Sequence, residues 1–283
     1  MKSTVLPALA LLLTACTSVQ TLPAGEPFYR KQILAEGMPI RSSNAVSDKA
    51  LLAARDMVAG MLAHRPDLAA WLVANDYRLA IIGQDEALLD LPENAAWTKP
   101  APDDPRLTRC ERKEYDLRIG RLSDRQYWDM RARGIGGQRA AAAEEDVLGL
   151  RVSRYYGETI LVHEFAHNIL FAIEGADPAL YARVEAAYAN ALDTDLWLNE
   201  YTTTTVQEYF AEGTQFWFDS NRLQAFDGRQ ILNHQDLAAY DPQLYAVLQA
   251  TYGDNHRLKG DPFWQHPARV PPGPPPENTA EVC

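Results

Sequence analysis

The amino-acid sequence predicts an α+β protein that is mostly helical and has a small mixed sheet. Apolar residues recur at helical spacing over 51–62, and the long segment 157–172 is strongly apolar and free of Pro, which is typical of a buried helix. The segment 77–83 is rich in aromatic and β-branched residues and is stopped by a glycine, which indicates a strand. We expect the sheet to lie over the helix at 157–172.

The composition is that of a globular domain, because 47% of the 283 residues are hydrophobic and 23% are charged. These fractions exclude a disordered or collagen-like chain, and no interior run of 18 apolar residues offers a membrane-spanning helix. The chain has 27 basic and 38 acidic residues, which gives a net charge of −11. Nucleic acid is therefore not an expected partner, since phosphate binding requires clustered Lys and Arg.

Residues 1–15 have the pattern of a bacterial lipoprotein signal peptide. Lys2 is followed by an apolar stretch that is too short for a permanent membrane anchor. The stretch ends in LTAC, which resembles the lipobox, and Cys16 is the predicted lipidation site. The alternative is an ordinary signal peptide with an incidental cysteine. The protein is thus expected to be anchored outside the cytoplasm by this lipid, and Thr17 in place of Asp favours the outer membrane over the inner one.

Two further cysteines, Cys110 and Cys283, remain after lipidation of Cys16. In an oxidising, exported compartment they are able to form a disulfide, but the sequence gives no distance between them. The pairing stays open on the residues alone.

Two segments lack the pattern of a folded domain. Residues 16–47 mix Ser, Pro, Gly and charges without apolar periodicity, which predicts a lipidated tether. Residues 269–283 are Pro-rich, which predicts an extended tail without a core. The folded domain is therefore predicted at 48–268.

The predicted domain begins with a helical annex. The helix at 51–62 ends before Pro66, and Asp67 is placed to cap a second short helix. Farther along, the glycines of 131–137 exclude a helix interior, and no Lys-Ser or Lys-Thr follows to make a phosphate-binding loop. A loop or sheet edge is expected there.

The sequence HEFAH at 163–167 predicts a metal site. His163 and His167 are four residues apart on one helix face, near enough to bind one ion. Burying them with Glu164 in an apolar helix is costly without a partner, and a metal satisfies all three groups. Zinc is the expected ion, since imidazole suits it and a catalytic site has three protein ligands and a water. Glu164 is then the general base for that water, not a ligand.

A second helix, within 201–218, is expected to supply the third ligand. Glu208 and Glu212 are four residues apart on one face, so one can bind the metal while the other orients a ligating histidine. Residues 205–208 also have the pattern of a capping box that begins at Thr205. In that case Glu208 bonds back to the helix start and Glu212 is the ligand.

The sequence resembles the zinc peptidases related to the anthrax toxin lethal factor catalytic domain, a branch of the gluzincins. The matching pieces are HEFAH at 163–167, EYFAE at 208–212, and Tyr201, seven residues before Glu208. The resemblance implies a zincin-like α+β metallopeptidase fold. It also implies Glu208 as the third zinc ligand and Tyr201 as a hydrogen-bond donor to the oxyanion. Residues 133–137, 156–158 and 212–219 resemble a broader set of secreted zincin-like proteins of unassigned substrate.

The resemblance covers about 131–252 and places the metal site within 157–219. Gly213 departs from lethal factor, which has a side chain at that position, and the toxin's substrate-docking domains are missing from this chain. The toxin's target preference is therefore not expected here.

The predicted function is a zinc-dependent metallopeptidase that hydrolyses peptide bonds of a peptide or protein substrate outside the cytoplasm. One alternative is a non-catalytic surface lipoprotein that keeps this scaffold for binding or envelope organisation. Another is an amidase of cell-wall peptide that uses the same zinc site. The peptidase is favoured over the non-catalytic protein because a scaffold without catalysis has no chemical need for Glu164 and Tyr201 together.

Overall fold

The fold is that of a computed structural model, which describes residues 18–23, 25, 27–105, 107–226, 228–275 and 279. The predicted signal peptide and the predicted lipidation site Cys16 lie outside the described residues. Among the helices of the described ranges, none has the length and apolar character needed to cross a membrane.

Helices hold most of the regular structure, and the sheet is small. The strands of the described chain are β1 (Gln20–Thr21), β2 (Lys31–Ala35), β3 (Met38–Ser42), β4 (Arg78–Ile82), β5 (Arg139–Ala143), β6 (Gln224–Phe226) and β7 (Arg229–Ile231). The helices are α1 (Asp48–Leu62), α2 (Pro66–Ala74), α3 (Arg109–Lys113), α4 (Asp124–Arg131), α5 (Glu144–Val147), α6 (Ile160–Ala176), α7 (Pro178–Asp193), α8 (Val206–Trp217), α9 (His234–Tyr240) and α10 (Pro242–Tyr252). The predicted α+β class is confirmed.

The main sheet has the strand order β1-β2-β3-β4-β5 and is mixed. β1, β2 and β3 pair antiparallel, whereas β3, β4 and β5 pair parallel. The strand predicted at 77–83 is β4, whose Leu79 lies between Ile40 of β3 and Ala140 of β5. Parallel strands need a long crossover, and α1 and α2 provide it between β3 and β4. The two helices of the predicted annex are therefore confirmed as helices, but they pack within the main core.

The predicted tether is wrong over its described part, because β1, β2 and β3 lie within 18–47. Ile33, Met38 and Ile40 are at most 1% exposed and point into the core. A tight turn joins β2 to β3, with φ of 48° at Glu36 and 85° at Gly37. These strands were missed because each is only five residues long and its buried positions alternate with less buried ones such as Gln32, Pro39 and Arg41, so the segment shows no continuous apolar run.

Helix α6 is the helix predicted at 157–172, and it lies at the centre of the molecule. It packs against α8 on one side and against β5 and α2 on others. The glycine-rich segment 131–137, where a loop or sheet edge was predicted, is a loop that one antiparallel bridge, from Ile135 to Ala141, attaches to β5. The segment is thereby held over the exposed side of α6.

Two predictions about the ends of the domain are refined. Arg269, assigned to the tail, is only 4% exposed, and its guanidinium donates to the carbonyls of Asn221 and Leu232. The folded body thus includes Arg269.

Cys110 is disulfide-bonded, while Cys16 and Cys283 both lie outside the described residues. The predicted pairing of Cys110 with Cys283 therefore stays a prediction.

Candidate metal centre

Helices α6 and α8 bring His163, His167 and Glu208 together. One ligand atom from each side chain lies within 4.8 Å of the other two. The Nε2 atom of His163 is 2.9 Å from Oε2 of Glu208, and that of His167 is 3.8 Å from the same oxygen. The two imidazole planes meet at 82°, with their centroids 5.0 Å apart. Among the described residues this is the one cluster of His, Cys, Asp and Glu side chains with such geometry.

These donors fit a zinc ion. Ligand atoms about 2.0–2.2 Å from a tetrahedral zinc lie about 3.4 Å from one another. The distances of 2.9 and 3.8 Å to the Glu208 oxygen bracket that value. Two imidazole nitrogens and one carboxylate oxygen are also a known donor set of catalytic zinc sites, which keep a fourth position open.

The structure separates the positions of Glu208 and Glu212. The Thr205 hydroxyl accepts the Glu208 amide at 3.1 Å, so Thr205 is the helix cap, but the Glu208 carboxylate faces the histidines and does not close a capping box. Glu212 lies behind His163, with Oε1 3.3 Å from its Nδ1. Asn221 donates to the other oxygen of Glu212 at 2.8 Å. This is the arrangement expected of one ligand and one carboxylate that orients a ligand.

Gln215 also contacts His163, although it was not among the residues predicted for the site. Its Oε1 lies 3.0 Å from Nδ1 of His163, while its Nε2 donates to the carbonyl of Thr159 at 3.3 Å. Acceptors on that side favour a proton on Nδ1 of His163, so Nε2, which faces Glu208, is the nitrogen suited to bind a metal. The signal was present in the spacing of Glu208, Glu212 and Gln215, which share one face of α8.

Glu164 faces a cleft of about 410 Å³ that is bordered by the two histidines, Glu208 and the glycine-rich segment. The glycine backbone lies directly against α6. A Cβ atom at Gly134 would be 2.9 Å from Cγ of Glu164, and one at Gly136 would be 2.7 Å from Cβ of His167. Both glycines are therefore required by close contact with the site. A loop or sheet edge was predicted for this segment, but its contact with the metal site was not.

Replacing Gly136 with Ala is expected to lower metal affinity and any hydrolysis at least tenfold. The added methyl group would collide with His167, and second-sphere changes of this kind typically cost 10–100-fold. Zinc affinity in a chelator competition checks the effect. Gly25→Ala is the control, since nothing lies within 4 Å of a Cβ atom there. Equal zinc affinity in both variants would show that the close contact at Gly136 has no role in positioning His167.

Tyr201 borders the cleft together with Glu208. Its ring stacks on that of His163, with centroids 6.5 Å apart and the ring planes at 28°. Burial and the nearby carboxylates raise the pKa of Tyr201, so the phenol keeps its proton at neutral pH. The side chain is thus placed as a hydrogen-bond donor beside the metal ligands.

Burial and charge set the protonation of the site. Burial raises the pKa of Glu164 to about 7, although the charge of His163 opposes the shift. Burial lowers the pKa of His167 to about 4, which leaves a neutral imidazole. Burial disfavours charge on His163 and Glu208, but their mutual hydrogen bond prevails: it raises the pKa of His163 and lowers that of Glu208. A metal cation between these groups would supply the positive charge that the His163 proton supplies here.

A buried carboxyl near the site predicts a pH effect on stability. Burial raises the pKa of Glu158 from 4.5 to about 7, opposed in part by Arg222. The unfolded chain therefore releases this proton at lower pH than the folded one, so the free energy of unfolding falls as pH rises from about 4.5 to 7. Glu158→Gln should remove this contribution, so its free energy of unfolding should fall less between pH 5 and pH 8 than that of the wild type, by on the order of 2 kcal/mol.

Urea unfolding of the metal-free proteins at pH 5 and pH 8 measures this difference. Glu174→Gln is the control, because Glu174 is exposed on α6. Equal pH dependence in the Glu158 variant and the wild type would contradict the assignment.

Two further histidines lie outside the ligand cluster. His234 begins α9 after the cap Asn233, and its Nδ1 lies 3.1 Å from Oδ1 of Asp219. The ring of His256 stacks on that of His234 with centroids 3.7 Å apart, and its Nδ1 lies 3.1 Å from the carbonyl of Trp217.

Comparison with known proteins leaves the family open. No family model matches the chain, and no curated protein is significantly similar to it. Among solved structures, the chain is similar to the PRO-PRO endopeptidase PPEP-2 from Paenibacillus alvei, with a TM-score of 0.45 and 14% sequence identity. The match covers 75% of this chain and 95% of that one. The resemblance to the lethal factor family stays a prediction, and the function is argued from this chain's own side chains.

Proposed function

We propose that this protein is a zinc-dependent peptidase of the zincin-like type that hydrolyses peptide bonds outside the cytoplasm. The observation that supports it most is the convergence of His163, His167 and Glu208 beside Glu164 in an open cleft. A metal site that only stabilises a fold is closed by four protein ligands. Three ligands next to an unligated carboxylate are instead typical of hydrolytic sites.

Zinc bound by the two histidines and Glu208 would supply a Lewis acid that acidifies a water molecule and polarises the scissile carbonyl. The protein's own groups do the rest. Glu164, which borders the cleft beside the ligands, accepts the proton of the attacking water and passes it to the leaving amine. Tyr201 donates a hydrogen bond to the developing oxyanion.

Glu212 and Gln215 act through His163. Their acceptor atoms lie 3.3 and 3.0 Å from Nδ1 of its ring, which fixes the ring's tautomer and orientation. Gly213, between them in sequence, allows α8 to approach α10, since a Cβ atom there would lie 2.7 Å from Leu244. The packing of α8 on α10 thus explains why this chain has a glycine where lethal factor has a side chain.

We also propose that the protein is lipid-anchored through Cys16 and faces an extracytoplasmic space, in the outer membrane of a double-membraned bacterium. The support is the lipobox-like sequence, Thr17 after it, and the disulfide at Cys110, because disulfides persist in oxidising compartments. Cys16→Ser should move the protein from the membrane fraction to the soluble fraction. An unchanged distribution would contradict the anchor.

A peptide-library digest tests the proposed activity. The protein from residue 17 onward, loaded with zinc, is incubated with a mixture of synthetic decapeptides, and new termini are identified by mass spectrometry. We expect cleavage at internal peptide bonds that is lost with a chelator and restored by zinc. Cleavage that is unaffected by chelation would contradict a metallopeptidase, and intact peptides with fully loaded protein would contradict a peptidase.

A further inference from the structure

We propose that an apolar pocket next to the cleft is a subsite that binds one large apolar side chain of the peptide substrate. The inference rests on the proposed peptidase function and adds a substrate preference to it. The pocket, here called the Trp128 pocket, is formed chiefly by Thr98, Leu107, Glu111, Tyr127, Trp128 and Arg131.

The Trp128 pocket adjoins the cleft. Trp128 and Arg131 border both the pocket and the space that contains His163, Glu164 and Glu208. Both residues belong to α4, which ends directly before the glycine-rich segment that lies on the metal site. A peptide bound across the metal site is therefore within reach of the pocket with one side chain.

The walls of the Trp128 pocket are aromatic and aliphatic. Tyr127 and Trp128 meet edge to face at 5.2 Å, and Trp97 packs on Trp128 at 4.8 Å. Leu107 and Tyr127 are 3% and 7% exposed, so their inner faces are firmly held. The volume is about 210 Å³. A cavity of about 150 Å³ with apolar walls holds benzene, so this one accommodates a Phe or Leu side chain.

The charges at the pocket are already paired. Glu111 is 8% exposed, and one of its oxygens accepts from Arg131 while the other accepts the Thr108 amide at 3.0 Å. A charged guest would have to break this pair, whereas an apolar guest leaves it intact. The pocket chemistry thus favours an apolar side chain over an acidic or basic one.

The pocket is held open by contacts outside the metal site. The indole N–H of Trp128 donates to the carbonyl of Thr98 at 3.3 Å. The Lys99 ammonium donates to the carbonyls of Gly120 and Leu122 at 2.6 and 2.5 Å, which fastens the loop to the segment before α4. A pre-formed pocket binds its guest without an ordering cost.

Filling the pocket is the most selective test. Thr98 borders the pocket and is exposed, so Thr98→Trp occupies the space without removing a core side chain. Ala96→Trp is the matched control, because Ala96 is exposed on the same loop and does not border the pocket. Trp128→Ala removes the side chain that borders both the pocket and the cleft, and so enlarges the pocket instead of filling it.

The first readout is the ratio of kcat/KM for peptides that differ only in Phe or Ala at the position that the library identifies as most selective. We expect wild type and Ala96→Trp to favour Phe by about tenfold or more, as burial of one large apolar group provides. Thr98→Trp should bring the ratio close to one, mainly by lowering kcat/KM for the Phe peptide. A library without any preference for large apolar residues, or a ratio that Thr98→Trp does not change, would overturn the subsite.

The second readout does not need catalysis. N-acetyl-phenylalanine amide and N-acetyl-alanine amide are titrated into the zinc-loaded protein, and the Trp128 indole signal, assigned with Trp128→Phe, is followed by NMR. We expect the Phe amide to bind at least tenfold more tightly than the Ala amide and to lose this advantage in Thr98→Trp. If no peptide is cleaved, the proposed function fails while this titration still decides the pocket: equal or absent binding of the two amides overturns it.

Discussion

Replacing Glu164 with Gln is expected to leave zinc bound and to reduce peptide hydrolysis about 10²- to 10⁴-fold. Glutamine keeps the size and one oxygen of the side chain but cannot accept a proton at neutral pH. Glu164 does not belong to the ligand cluster, so metal affinity should be unchanged. Zinc per chain by elemental analysis and kcat/KM on one library-derived peptide are measured on the same sample.

Glu174→Gln is the matched control for this prediction, since it makes the same chemical change at an exposed position of α6. Hydrolysis by Glu164→Gln at the wild-type rate would exclude the general-base role. Loss of zinc in that variant would instead make Glu164 a ligand and require a different site.

Glu208→Ala is expected to abolish tight zinc binding, whereas Glu212→Ala should weaken it only 10–100-fold. The first change removes one of three ligands, and the second removes a carboxylate that lies 3.3 Å from the far nitrogen of His163. Competition with a chromogenic chelator measures both affinities, and circular dichroism confirms that both variants fold. The reverse order of affinities would assign the third ligand to Glu212.

Gln215→Ala provides an internal check on the same reasoning. Its amide oxygen is 3.0 Å from Nδ1 of His163, so its loss should resemble that of Glu212 and differ from that of Glu208. An unchanged affinity in Gln215→Ala would show that the tautomer of His163 is set by Glu212 alone.

The helical part of the fold was predictable because it follows local patterns. The apolar periodicity of α1 and the long apolar segment of α6 each bury one face regardless of the rest of the chain. The strands of the sheet were harder to predict from the sequence. β5 consists of Arg139 and four alanines, which have little β preference, and it becomes a strand because it pairs in parallel with β4 and is buried.

The site, too, was predictable only where it depends on local sequence. His163, Glu164 and His167 are close in sequence, and a helix places two imidazoles on one face by its geometry alone. Which glutamate meets them depends on how α8 packs on α6, so residues alone left Glu208 and Glu212 open. Contacts across the fold, such as Gly136 on His167 or Trp128 at the border of the cleft, have no local sequence pattern.

The central claim is that one zinc ion held by this chain drives peptide hydrolysis. A titration of the metal-free protein with zinc, with the initial rate of peptide cleavage measured at each addition, tests it most directly. The account predicts a rate that rises in proportion to zinc and stops rising at one zinc per chain. A rate that does not depend on zinc, or stoichiometric zinc binding without hydrolysis of any library peptide, would contradict it.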